Sequence, residues 1–79
     1  MTTHEYRHTI EQILNQSVGA LYVYASDVVV GMCVVKLEMK GEIETFILDE
    51  KQKQLKPCDF DLDELMQIDA DQLMNEFNK

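Results

Sequence analysis

Tryptophan is missing from this chain, proline occurs once, at Pro57, and glycine only at Gly19, Gly31 and Gly41. The glycines stand apart from one another, so no phosphate-cradling loop is present. Two cysteines, Cys33 and Cys58, are too few for a disulfide framework. Cys33 falls mid-strand, where a thiol packs as a small hydrophobe, and Cys58 follows Pro57 in a polar connection. Both are expected to be reduced. At 79 residues the chain is read as one domain over residues 1–79 with a thin core, which leaves little room for an enclosed catalytic pocket. No basic segment followed by an apolar run opens the chain, so no signal peptide is read and a cytoplasmic location is expected.

Positive charge is also scarce. Fifteen acidic residues against seven basic ones give a formal charge of −8. Residues 1–58 hold eight acids and six bases, a net of −2, and residues 59–79 hold seven acids and one base, a net of −6. The excess therefore belongs to the last segment. Phosphate backbones demand the opposite sign, so direct DNA or RNA binding is not expected. A basic protein surface is the electrostatic complement.

A membrane-length apolar run is nearly present. Val18 to Val35 spans 18 residues with Asp27 as its one charge. A carboxylate at that depth costs about 2.5–3.5 kcal/mol, and the run is rich in β-branched residues, so it reads as soluble strands.

What the chain does contain is order of the α+β kind. Thr2-Thr3-His4-Glu5 has the form of a capping box, and Tyr6, Ile10, Ile13, Leu14 and Ser17 recur at helical spacing, which predicts a helix from about Thr3 to Gln16. Arg7, Glu11 and Gln12 are placed on its wet side, and Gly19 is the candidate for a left-handed stop. Leu21–Tyr24 and Val28–Leu37 read as strands separated by a turn at Ser26-Asp27. Beyond Val35 the sequence alternates, which predicts one wet face. A three-residue loop, Lys40-Gly41-Glu42, would pair Met39 with Ile43, Leu37 with Thr45 and Val35 with Ile47. The result is a three-stranded antiparallel meander. Residues 49–56 read as a turn and a short edge segment anchored by Leu55, with a frayed fourth strand at 53–56 as the alternative.

The C-terminal segment carries two start signals. Asp61 can cap a helix with Glu64 completing the box and Phe60 stapled to Leu65. Leu62, Leu65, Met66, Ala70, Leu73, Met74 and Phe77 share about half of one wheel, which favours a single acidic helix from Leu62 to Phe77. The alternative is two short helices. DLDELMQ at 61–67 is echoed by DADQLMN at 69–75, with Asp69 as a second cap and Gln72 completing its box.

Catalytic chemistry is not indicated. Cys33 or Cys58 with His4 or His8 would need an orienting third group and an oxyanion loop, and neither is legible. His4 and His8 are one turn apart, a spacing a metal could use, yet no third ligand is placed beside them. Asp59, Asp61 and Asp63 alternate as in a calcium loop, but Glu64 stands where glycine is required and Ala70 where a bidentate Glu is required. No metal or cofactor is assigned.

The sequence is therefore read as a small, acidic, non-catalytic interaction module: an inhibitor, adaptor or accessory subunit. Its expected partner is a basic protein surface, met through Asp59, Asp61, Asp63, Glu64, Asp69, Asp71 and Glu76, with imitation of nucleic acid as the favoured form. The first alternative is a self-associating homodimer, with Met32, Met39, Met66 and Met74 and a bare meander face forming the seam. The second is a metal or redox sensor built on His4, His8 and the cysteines.

Overall fold

Helix α1 (Thr3–Leu14) begins as its capping box dictates. Thr2 Oγ1 accepts from the Glu5 amide and Glu5 Oε1 accepts from the Thr2 amide, both at 3.2 Å. The helix ends at Asn15, which takes the left-handed conformation (φ 57°) expected of Gly19. An asparagine tolerates that region better than most residues. The computed structural model describes residues 2–79.

Four strands follow: β1 (Leu21–Tyr24), β2 (Met32–Met39), β3 (Glu42–Asp49) and β4 (Gln54–Pro57). They form one antiparallel sheet in the order β1-β2-β3-β4. The frayed fourth strand is thus real, and Pro57, which has no amide hydrogen to donate, ends it. Strand β2 starts four residues later than Val28. Residues 28–31 form a turn instead, and Val30 is 85% exposed.

The central hairpin closes through two residues rather than three. Lys40 (φ 53°) and Gly41 (φ 83°) are both left-handed, as in the mirror-image turn that matches strand twist. Met39 consequently faces Glu42, Leu37 faces Glu44 and Val35 faces Phe46. This one-residue change puts Phe46 and Leu48 on the face of Cys33, Val35 and Leu37, and Ile47 on the opposite face with Met32 and Val34.

Both faces of the sheet are covered over Met32–Val35, and beyond Val35 the expected alternation holds, with Leu37 buried, Lys36 half-buried and Glu38 exposed. Tyr6, Ile10 and Val18 pack with Cys33, Val35, Leu37, Phe46 and Leu48 under α1. On the other side Met32, Val34, Ile47 and Cys58 pack with Leu65, Leu73 and Phe77 of the C-terminal helices. Only toward the hairpin tip does that second face open, where Ile43 and Glu38 are exposed.

The C-terminal segment is two helices, α2 (Leu62–Gln67) and α3 (Ala70–Phe77), not the single favoured one. Ile68 leaves helical geometry at ψ 139° and Asp69 caps the new start. A continuous helix would have put the Asp69 carboxylate on the apolar stripe and Ile68 off it. The corner returns Ile68 to the core and Asp69 to water.

Two side chains placed on the wet side of α1 instead fasten the following loop. Arg7 Nη1 donates to the carbonyl oxygens of Val18 and Gly19, both at 2.7 Å, and Glu11 Oε2 accepts from the Val18 amide at 2.9 Å. They satisfy backbone groups that no helix or strand would satisfy.

Candidate interaction surface

The seven C-terminal carboxylates divide by what each already does. Asp61 Oδ1 accepts from the Glu64 amide at 2.8 Å while Glu64 Oε1 accepts from the Asp61 amide at 3.1 Å. Asp69 and Gln72 repeat this arrangement at 2.8 and 3.0 Å. Asp61, Glu64 and Asp69 are thus partly explained by helix starts, although each keeps a second oxygen. Glu76 Oε2 pairs with Lys79 Nζ at 2.9 Å. Asp59, Asp63 and Asp71 are exposed and accept no capping hydrogen bond, although Asp63 and Asp71 stand in the first turns of α2 and α3, where acid complements the helix dipole.

The fold gathers only part of this set. Asp59 and Asp61 line an open groove of about 460 Å³ where the chain leaves β4, and the opposite wall is Ile43, Glu44 and Thr45 of β3. Glu44 had no signal in the sequence beyond an alternating strand. No lysine or arginine lines this groove. Asp63, Asp71 and Glu76 lie elsewhere on α2 and α3 and are not brought to it.

The groove exists because β4 is short. Strand β4 pairs with β3 only from Phe46 to Asp49. The Cys58 amide then donates to the Thr45 carbonyl oxygen at 3.0 Å, and the chain turns away. Antiparallel backbone groups alternate in direction, so Ile43, two residues from Thr45, also points its amide and carbonyl to that side, where no strand runs. Asp59 and Glu44 flank this free edge.

The remaining candidates are dispersed. His4 and His8 border a shallow depression with Glu5 and Lys53, but Glu5 is held in its capping box. The capping contacts with Thr2 hold the Glu5 carboxyl below its ordinary range. Among the described residues no three His, Cys, Asp or Glu side chains are grouped to hold a metal ion.

The cysteines are free, buried and separated by the sheet: Cys33 lies under α1, and Cys58, in the connection after Pro57 as expected, is buried under α2 and α3. Burial, reinforced by the charge of Glu50, pushes the Cys33 thiol up to about 12 against an opposing Tyr6 hydrogen bond. Burial, with Glu76 and Asp59 nearby, also raises Cys58. Both thiols are thus far from the reactive thiolate form at neutral pH.

The methionine seam does not assemble. Met32 and Met74 pack on one side of the sheet and Met39 on the other, leaving Met66, 76% exposed, by itself.

These features define an α+β protein whose antiparallel sheet lies between two helical layers. Among the described residues no helix is long and apolar enough to cross a membrane. Compared with protein-family models, curated proteins and solved structures, the chain matches none.

Proposed function

We propose that this protein is a small cytoplasmic, non-catalytic interaction module whose acidic C-terminal region binds a basic protein surface and there takes the place of nucleic acid. One observation carries the reading: seven acids stand against one base in residues 59–79, and Asp59, Asp63 and Asp71 are exposed without a role in capping a helix. Carboxylates spread over two successive helix starts can occupy positions that phosphates fill on a basic partner. The groove between Glu44 and Asp59 adds a negative wall lined by no lysine or arginine beside unpaired backbone, and it suits a lysine- or arginine-bearing segment.

The test is capture from lysate on the immobilised protein, with elution by salt, alongside the triple variant Asp59→Lys, Asp63→Lys, Asp71→Lys. These positions spare the capping carboxylates; two of them set a cation against a helix dipole at about 0.3–1 kcal/mol each, so folding of the variant is checked by circular dichroism. A basic, nucleic-acid-binding partner released by salt and lost by the triple variant is the expected result. Capture unchanged by the three reversals, or no partner that salt releases, overturns the proposal.

A further inference from the structure

Among the described residues no lysine, proline or covering strand guards the outer edge of β1, which has only its shortness and a bulge at Gly19-Ala20, where both residues bond to Glu38. Natural sheets guard such edges with lysine, proline, bulges or a covering segment. Residues 12–26, QILNQSVGALYVYAS, contain no charge and no proline, although the chain as a whole carries −8. Tyr22, in the middle of the strand, is 54% exposed.

The direction of the backbone groups can be read from the ladder. The Glu38 amide donates to the Ala20 carbonyl oxygen at 2.9 Å, so Ala20 faces β2, and alternation gives the same direction to Tyr22 and Tyr24. Leu21 and Val23 therefore point their amides and carbonyls outward. Side chains alternate with the same period: Leu21 and Val23 lie on the α1 face with the first core, and Tyr22 and Tyr24 on the other.

From this edge we infer that the protein forms a twofold-symmetric dimer in which β1 pairs antiparallel with β1 of a second copy, centred on Tyr22, to make one continuous eight-stranded sheet. The register follows from the strand itself. Centred on Tyr22, Leu21 of each copy exchanges two hydrogen bonds with Val23 of the other, so all outward groups of both residues are used. A centre one residue away would bring in Gly19, whose amide is already donated to Glu38 at 2.7 Å, or Ala25, which is left-handed at φ 56°.

The side chains suit this register as well. Leu21 meets Val23 over the α1 face, and each Tyr24 stands opposite a small Ala20. The two Tyr22 rings meet on the axis, with Cα atoms about 4.5 Å apart as in a non-hydrogen-bonded pair.

Charge argues for a second copy as the occupant. Two chains of −8 repel, and they can approach most closely where neither carries charge; every pairing from residue 19 to residue 25 is neutral with neutral. The consequence is a salt dependence opposite to that of a basic partner: screening strengthens this dimer.

The experiment is sedimentation equilibrium of the full chain at tens of micromolar in low and high salt, with Val23→Pro and Tyr22→Lys, each checked for folding by circular dichroism. Val23→Pro removes an outward amide together with a side chain packed at the edge of the first core, so its folding check is essential, and Tyr22→Lys sets like charges face to face on an exposed site. Wild-type protein should reach twice the chain mass of 9.2 kDa, more completely in high salt. Either variant should weaken association at least tenfold.

Under mild oxidation Tyr22→Cys should cross-link to a covalent dimer, because Cα atoms that close suit a disulfide, and wild type, with both thiols buried, should not. A wild-type monomer in both salts overturns the inference. So does a dimer that persists in Tyr22→Lys, or one in which Tyr22→Cys fails to cross-link.

Discussion

Lys56 Nζ donates to the carbonyl oxygen of Phe77 at 2.7 Å and lies 4.6 Å from the centroid of the same residue's ring. The edge strand thus supplies a cation to the carboxyl end of α3, which has no basic residue in its own last turn. Such a charge complements the helix dipole and is attracted by the aromatic face. Lys56→Met, which keeps the apolar stem, should lower stability by about 1–2 kcal/mol in denaturant unfolding. Lys51→Met, on an exposed turn, should stay within about 0.5 kcal/mol.

The corner between α2 and α3 depends on Asp69. Replacing it by alanine removes the acceptor for the Gln72 amide and should cost about 0.5–2 kcal/mol. Asp71→Ala, two residues on and free of any such bond, should change stability by no more than about 0.5 kcal/mol. Thermal melts of the two variants side by side make the comparison.

Lys40 occupies a left-handed position that lysine disfavours. Lys40→Asn gives the Asn-Gly pair suited to this turn and should raise stability by about 0.5–1 kcal/mol. Gly41→Ala should have the opposite sign. Open space surrounds that position, so its cost of about 1 kcal/mol comes from the φ of +83° alone.

Alkaline pH should destabilise the fold through Cys33. The folded protein keeps this thiol protonated up to about 12, whereas the unfolded chain releases it near the ordinary value of 9.0. The folded state therefore binds more protons between these values. The contribution is whole below pH 9 and is lost as pH rises toward 12. Tyr6 and Cys58 are raised as well and add to the same slope. Cys33→Ala should flatten the alkaline limb of a stability profile measured by denaturant midpoints.

What could be read in the sequence was local. All three capping boxes form as written, because each joins residues three apart through bonds that need no tertiary partner. The division of the last helix was also written there, in the echo of Asp61-Leu62-Asp63-Glu64 by Asp69-Ala70-Asp71-Gln72, and was outweighed by an apolar stripe that runs through both halves. The strand register was not legible. It turned on whether Lys40 would accept a left-handed φ, and a change of one residue exchanged every side chain of β3 between faces.

The groove was only half visible for a related reason. Asp59 and Asp61 stood out as acids, but Glu44 reaches them only through the antiparallel return of β3 and β4. Likewise Arg7 and Glu11 were assigned to water because helical periodicity cannot see the loop that folds back upon them.

Strands β2 and β3 are shared property. Their odd and even positions feed separate oily compartments, one beneath α1 and one beneath α2 and α3. Neither compartment has a wall of its own to fall back on. Clipping the chain just after Pro57 would leave Val34 and Ile47 bare along a ready-made ribbon, a surface apt to nucleate clumping. The short terminal helices therefore act as a lid against precipitation, whatever else they meet.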